Sequence, residues 1–267
     1  METNYNSTIT SIDTDEYGHN VAVSSVSGVI SILNSQNLQK ISDILNLDSV
    51  PYSLDYSQSS FGPILACGFA DGTVRLYQAN REIQRFEPQK GAILSVAFHP
   101  SKCIVAAASL CGTFAVYSKV DNKWTSIVIP ASPLGVSSIA WGSDLDALQT
   151  LILGGVDGVV RVFKSAGSGW EFTCSAQVHN GWIRQLSTPK IPQVGIQKVA
   201  TCGDDNIASI LKINGNNIET TFIDIDSPAN GISFAMVDKV IVMSHKDGKT
   251  TTWSEDDEGK WVLSKDN

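Results

Sequence analysis

The sequence predicts an all-β fold, a propeller of six four-stranded blades forming a single domain over residues 1–267. Three observations predict it. A short pattern recurs six times, starting at Ser27, Asp71, Cys111, Asp157, Asp205 and Asp247, at intervals of about 40 to 48 residues. Each copy opens on a turn pair and continues as an alternating stretch, the mark of a half-buried strand. Each copy also carries a small residue three positions before its start: Ser24, Gly68, Ala108, Gly154, Cys202 and Ser244. Small residues at one register are expected where blades narrow toward a common axis.

Within a copy the innermost strand comes first. Patterning places it at 8–12, 52–56, 93–98, 136–141, 183–186 and 232–235. The second strand holds the small residue and runs into the turn. Asp71-Gly72, Asp157-Gly158 and Asp247-Gly248 read as two-residue hairpins of type I′, which need positive φ at both central positions. Ser27-Gly28 and Cys111-Gly112 keep the glycine. Asp205-Asn206 substitutes the residue that best tolerates left-handed geometry after glycine.

The third strand follows the turn. Ile30 and Ile32, Val74 and Leu76, Phe114 and Val116, Val160 and Val162, and Ala208 and Ile210 form its inner positions. The sixth copy has Thr250 and Thr252 there and rests on β-propensity. A large residue comes next in every copy: Leu33, Tyr77, Tyr117, Phe163, Leu211 and Trp253. A fourth strand is expected at 82–86, 124–129, 170–174, 218–223 and 260–263. Four strands at this period make one blade, and the period is that of WD repeats.

Composition narrows the function. The net charge of −8 disfavours direct binding to nucleic acid or to an anionic lipid surface. No apolar run approaches the roughly 18 residues of a membrane span. The polar segment 1–7 lacks the apolar stretch of a signal peptide. Direct membrane insertion is therefore not expected, and any membrane role runs through a partner protein. The longer irregular stretches, 142–147 and 188–195, sit inside repeats rather than between domains. The five cysteines, Cys67, Cys103, Cys111, Cys174 and Cys202, follow no disulfide or zinc spacing. Cys67, Cys103 and Cys202 fall in predicted buried strands and read as small core residues.

The chemistry of catalysis is missing. None of the four histidines, His19, His99, His179 and His245, has a ligand-spaced neighbour. His179 opens the run His-Asn-Gly-Trp-Ile-Arg before the fifth inner strand. In WD repeats a histidine here bonds across the blade to a Ser or Thr, a tryptophan and a turn aspartate. Thr201 and Asp205 fit those places, while Leu211 replaces the tryptophan, so a partial bracing network is expected. Asp204-Asp205 sits in a turn that already explains it. Gly154-Gly155 precedes a strand rather than a helix N-terminus, so it does not read as a phosphate loop. No catalytic, cofactor-binding or metal-binding residue is expected, and the protein reads as non-enzymatic.

The ends of the chain bear on closure. The residues before Ser27 supply the inner strands of blade one, and Gly259-Lys260-Trp261-Val262-Leu263 supplies the fourth strand of blade six. No strand is left to fasten the ring by exchange. Either the six blades close by face packing, or the ring stays open between blades one and six. Apolar faces exposed there would mark a protein interface, which a partner fills by adding strands.

The segments 53–77 (SLDYSQSSFGPILACGFADGTVRLY), 135–141 (GVSSIAW), 153–164 (LGGVDGVVRVFK), 179–184 (HNGWIR) and 247–261 (DGKTTTWSEDDEGKW) carry a resemblance. Together they resemble the small WD-repeat subunit of the COPII outer coat, a propeller shared with the Y-shaped nuclear-pore scaffold. Phe61-Gly62 and Gly259-Lys260-Trp261 are the most specific elements, and the likeness covers nearly the whole chain. The chain departs from the WD signature in having no Trp-Asp dipeptide.

The resemblance implies an open six-bladed propeller. A large partner with an α-solenoid donates a three-stranded seventh blade in trans. It implies a rigid scaffold role in the COPII vesicle coat, peripheral at the cytoplasmic face of the endoplasmic reticulum, in ER-to-Golgi transport. A nuclear-pore paralogue, with a scaffold nucleoporin as partner, is the near alternative, and a self-contained closed interaction module is the other. The matched positions place the partner contact at Ile9, Ile12, Val21 and Val23 of blade one and Ile241, Met243, Thr250 and Thr252 of blade six.

Overall fold

The computed structural model describes residues 7–44, 47–142, 148–190, 196–235 and 238–266. Segment 1–7 is thus seen only at Ser7, and most of 142–147 and 188–195 lies outside the described residues. Six sheets are each built from four consecutive strands. Blade one holds β1 (Ile9–Thr14), β2 (Asn20–Ser25), β3 (Val29–Asn34) and β4 (Lys40–Ile44). Blade two holds β5 (Pro51–Tyr56), β6 (Ile64–Phe69), β7 (Val74–Gln78) and β8 (Arg81–Arg85). Blade three holds β9 (Ile93–Phe98), β10 (Ile104–Ser109), β11 (Thr113–Val120) and β12 (Lys123–Pro130). Blade four holds β13 (Val136–Trp141), β14 (Thr150–Gly155), β15 (Val159–Ala166) and β16 (Gly169–Gln177). Blade five holds β17 (Ile183–Ser187), β18 (Gln197–Gly203), β19 (Ile207–Asn214) and β20 (Asn217–Asp224). Blade six holds β21 (Ala229–Phe234), β22 (Val240–His245), β23 (Thr250–Glu255) and β24 (Trp261–Asp266).

The fold is therefore all-β, the six blades of a β-propeller, as the repeat predicts. The chain packs as two compact units, Met1–Val136 with blades one to three and Ser137–Asn267 with blades four to six. Among the described residues no helix is long and apolar enough to cross a membrane.

The repeated turns differ from the expected type I′ geometry. Gly72 has φ +84° and its N–H donates to the Phe69 carbonyl, while Phe69 N–H donates to the Thr73 carbonyl. Asp71 keeps a negative φ, so only the glycine is left-handed. This is a three-residue loop with a bulge glycine, the next most common hairpin connection. Asp71 is used differently from the expectation: its carboxylate accepts the Thr73 N–H at 2.9 Å. True paired positive φ occurs instead at Ala79-Asn80 and Asp121-Asn122, between the third and fourth strands of blades two and three. At Gly112 the glycine is required twice over, because a Cβ would stand 1.9 Å from the Ser132 carbonyl oxygen.

The second strands of blades two to five are buried on both faces, as in β6 and β14, where every residue is buried. Neighbouring blades share cores. Ala22, Ile30, Ile32 and Ile44 of blade one pack with Leu54, Leu65, Cys67 and Tyr77 of blade two. Blades five and six share Ala200, Cys202, Ile210, Ile232, Phe234, Ile241, Met243 and Trp261. The small register has a local cause in these interfaces. A Cβ on Gly68 would meet Ile93 of the next blade at 2.5 Å, and one on Gly154 would meet Ile183 at 2.7 Å. In blades two and four the small residue is the notch that receives the first apolar side chain of the following blade.

Innermost strands of successive blades are linked through side chains. Ser11 and Asp13 of β1 accept the N–H groups of Leu54 and Tyr56 of β5, at 3.1 and 2.7 Å. Ser53 and Asp55 accept those of Val96 and Phe98, at 3.0 and 2.5 Å. Ser138 accepts Leu186 N–H, and Gln185 and Ser187 accept Ile232 and Phe234 N–H. An edge strand presents unpaired amides, and here a short polar side chain one repeat upstream satisfies them. A register shift at the start of β1, β5, β17 and β21 precedes the first acceptor or its equivalent. Such bulges re-aim side chains.

Candidate partner-binding faces

Strand alternation decides which residues of the first and last blades can meet a partner. In blade one, Ala22, Ile30 and Ile32 pack on blade two. Cross-strand pairing puts Ile12 beside Val23 and Thr14 beside Val21 on the opposite face. Ile9 and Ile12 are exposed there, Ile12 to 57%, and Val21 is half-buried, while Val23 is buried. All four expected contact residues of blade one thus lie on the face turned away from blade two.

Blade six divides differently. Ile241 and Met243 are fully buried in the core shared with blade five. The opposite face of β22 carries Val242 and Ser244, paired with Thr252 and Thr250 of β23. Val242, Ser244 and Thr250 are exposed and Thr252 is half-buried. The expected set therefore mixes two faces: Thr250 and Thr252 stand on the one turned away from blade five, Ile241 and Met243 on the other. The period of two that identified the strand does not by itself say which face meets a neighbour.

The remaining polar clusters brace turns. In blade five, His179 donates Nδ1–H to Asp205 at 2.8 Å and its Nε2 pairs with the Thr201 hydroxyl at 2.9 Å. This is the partial network expected from the sequence. Blade six contains a second chain that sequence reasoning missed. Trp253 Nε1–H donates to Thr251 Oγ1 at 3.1 Å, Thr251 pairs with His245 Nε2 at 2.8 Å, and His245 Nδ1–H donates to the Ser227 carbonyl at 2.8 Å. The signal was present: His245, Thr251 and Trp253 are the polar and aromatic types of the fifth-blade network in a different order.

Blades two and four use arginine instead. Arg161 pairs with Asp157. Arg75, buried, pairs with Asp71 at 2.6 Å and with Asp48, and lies 4.0 Å over the Phe69 ring. Burial pushes the Asp71 and Asp157 carboxyls up, but hydrogen bonds from Thr73 and Arg75 to Asp71, and from Arg161 and the Val159 N–H to Asp157, prevail and hold both below the ordinary range. The cysteines are free thiols: Cys67 and Cys202 are buried, Cys103 is half-buried just before β10, and Cys111 is exposed. Among the described residues no group of three or more His, Cys, Asp or Glu is placed to hold a metal ion.

The terminal Gly-Lys-Trp is structural in part. Trp261 is buried and packs against Phe234 with ring centroids 6.4 Å apart, which seats β24 on the core.

Comparison with known proteins agrees with the repeat. The family model for the WD domain, G-beta repeat, matches residues 80–118. That span is the outer strand of blade two followed by three strands of blade three. The chain is 23% identical over 278 residues to the Protein SEC13 homolog of Drosophila melanogaster, covering 93% of this chain and 78% of the relative. It is 22% identical over 287 residues to Protein transport protein sec13 of Emericella nidulans, covering 94% and 92%. A chain in the crystal structure of the mitotic checkpoint complex matches at a TM-score of 0.78 and 18% identity, over 97% of this chain and 76% of that one. The last likeness concerns the fold alone. Blade architecture, repeat and relatives that align nearly end to end make the chain similar to Sec13 proteins, with the blades of a WD-repeat β-propeller.

Proposed function

We propose that this protein is a non-enzymatic scaffold subunit of the COPII vesicle coat, acting in ER-to-Golgi transport as a peripheral component at the cytoplasmic face of the endoplasmic reticulum. The observation that carries the reading is end-to-end similarity to relatives named as protein transport proteins. In this reading the ring stays open between blades one and six until a large α-solenoid partner donates a seventh blade. The donated blade packs on Ile9, Ile12 and Val21 of blade one and on Thr250 and Thr252 of blade six. Val242 and Ser244 join that contact because alternation puts them on the same face as the threonines. Two structural features support it. Every sheet is made of four consecutive strands, so no strand from one end of the described chain completes the sheet at the other. The exposed apolar side chains Ile9, Ile12 and Val242 occupy the two faces concerned.

The test is affinity purification of the full chain from cells, with mass identification of what accompanies it. A stoichiometric partner containing a short β-rich insertion before a helical solenoid is expected. Ile12→Glu and Val242→Glu each reduce its recovery about tenfold, as charges at the centre of an apolar contact do. Ile83→Glu, on the outer strand of blade two, leaves it unchanged. A lone chain that is soluble, monomeric and indifferent to both substitutions defeats the proposal in favour of a self-contained module. Recovery of a nuclear-pore nucleoporin in place of a coat subunit moves the assignment to the pore.

A further inference from the structure

The outer strands of the six blades are free edges, and five of them are guarded. A free edge is a template for pairing with another chain, and proteins blunt it with charges or bulges. β4 carries Lys40 and Asp43, β8 Arg81, Glu82 and Arg85, β16 Glu171, and β20 Glu219 and Asp224. Register shifts also interrupt the pairing of β4, β8, β16 and β24 with their neighbours. β12 is the least guarded, with a charge only at its first position, Lys123, a proline only at its last, and no bulge. Its eight residues pair with β11 without a shift. The run Thr125-Ser126-Ile127-Val128-Ile129 is uncharged, with Ile127 42% and Val128 55% exposed.

The edge is also held in place. The two-residue turn Asp121-Asn122 makes Val120 and Lys123 the closing pair of the hairpin. Alternation then turns the backbone groups of Trp124, Ser126 and Val128 to the outer side. Ala131 N–H donating inward to the Gly112 carbonyl, three residues past Val128, agrees with that phase. Trp124 packs edge-on against Phe86 of blade two, with centroids 5.5 Å apart. The strand is thus seated before anything binds to it.

Charge indicates the occupant. Between residues 88 and 143 the sequence has Lys90, Lys102, Lys119 and Lys123 against Asp121 alone, in a chain of net charge −8. We infer that the outer edge of blade three is a strand-addition site for an extended segment of a partner protein, apolar in its middle and acidic at its flanks. Main-chain bonds to Trp124, Ser126 and Val128 give the affinity, and Lys119 and Lys123, exposed beside the hairpin turn, select acidic flanks. The site is separate from the faces assigned to a donated blade and does not depend on that assignment.

The experiment titrates the full chain into a fluorescein-labelled peptide, Glu-Glu-Val-Thr-Val-Thr-Val-Glu-Glu, and follows anisotropy. Saturable binding is expected, with added hydrogen-exchange protection at the amides of Ser126 and Val128. Val128→Lys, which installs the charge that the other edges have, weakens it about tenfold or more. Ser126→Pro, which removes an outward N–H and is tolerated on an edge strand, does the same. A lysine-flanked version of the peptide binds about tenfold more weakly. Absence of saturation, or binding indifferent to both substitutions or to peptide charge, overturns the inference. Self-association of the chain abolished by Val128→Lys assigns the edge to a second copy and overturns it too. So do phosphatidylserine vesicles that bind wild type and Ser126→Pro alike and displace the peptide.

Discussion

Glu255 is the residue whose loss blade six should feel most. Its carboxylate is buried and receives Lys198 Nζ at 2.7 Å and Lys212 Nζ at 3.0 Å. Lys198 is itself buried and also reaches Asp238 at 3.0 Å. Glu255→Gln keeps the volume and one acceptor but leaves Lys198 with a single counter-charge. Removing one partner of a buried ion pair costs about 3–5 kcal/mol, and the retained Asp238 puts this case at about 3. At about 2–4 °C per kcal/mol for a chain near this size, Tm falls by about 6–12 °C. Scanning calorimetry and urea titration measure it. The pair Lys198→Met with Glu255→Met should be less damaging than the sum of its singles, because no uncompensated charge stays inside. Burial raises the Glu255 pKa, and the hydrogen bonds from Lys198 and Lys212 more than offset it, so the net shift is downward. Its contribution is therefore complete above the unfolded value and is lost as pH falls through the folded one. The acid limb of stability should flatten in Glu255→Gln. A loss under about 0.5 kcal/mol, the range of neutral surface changes, or strict additivity of the double variant, refutes the reasoning.

The repeated turns give a graded test. Gly248→Ala meets open space at φ +87° and should cost about 1 kcal/mol from left-handed strain alone. Gly112→Ala should cost distinctly more, because its Cβ collides with a carbonyl; equal urea midpoints for the two would contradict this. Asp55→Ala strips the acceptor from Phe98 N–H and should cost about 1.5–3 kcal/mol, with the Phe98 amide losing hydrogen-exchange protection. Hydrogen bonds from Arg184, and then from Lys246, hold Asp204 at about 2. Its stabilisation is present above the ordinary carboxylate pKa and disappears as pH falls toward 2, so Asp204→Asn should reduce the drop in urea midpoint over that range.

The repeat was legible because hairpin glycines, alternating strands and small notch residues are local features with a fixed period. Innermost strands were placed within a few residues. The expected strand at 232–235 begins at Ala229 instead, because a bulge at its start lies outside any simple alternation. The outer strand β4 went unplaced, since Lys40-Ile41-Ser42-Asp43-Ile44 is short and mixed in polarity. The turn type was misjudged because Asp-Gly fits both a type I′ pair and a bulge loop, and only backbone geometry separates them. Of the expected partner residues, those of blade one share one face and those of blade six are divided between two. Val242 looks like core in sequence, yet its neighbours Ile241 and Met243 took the buried face. The amide acceptors were also missed. Their signal was a polar residue at one register of the inner strand, Ser11, Ser53, Ser138 and Gln185, hidden among apolar neighbours.

Those side-chain acceptors give the molecule a direction. In each link the acceptor belongs to the earlier blade and the amide to the later one. As the chain leaves the ribosome, every new inner strand meets a preceding blade whose serine or aspartate is already synthesised. Growth from the N-terminus can proceed blade on blade, each addition satisfied on arrival within its compact unit. A circular permutation that began at blade two would make the Leu54 and Tyr56 amides before the Ser11 and Asp13 that receive them, leaving those amides exposed on the nascent edge for longer.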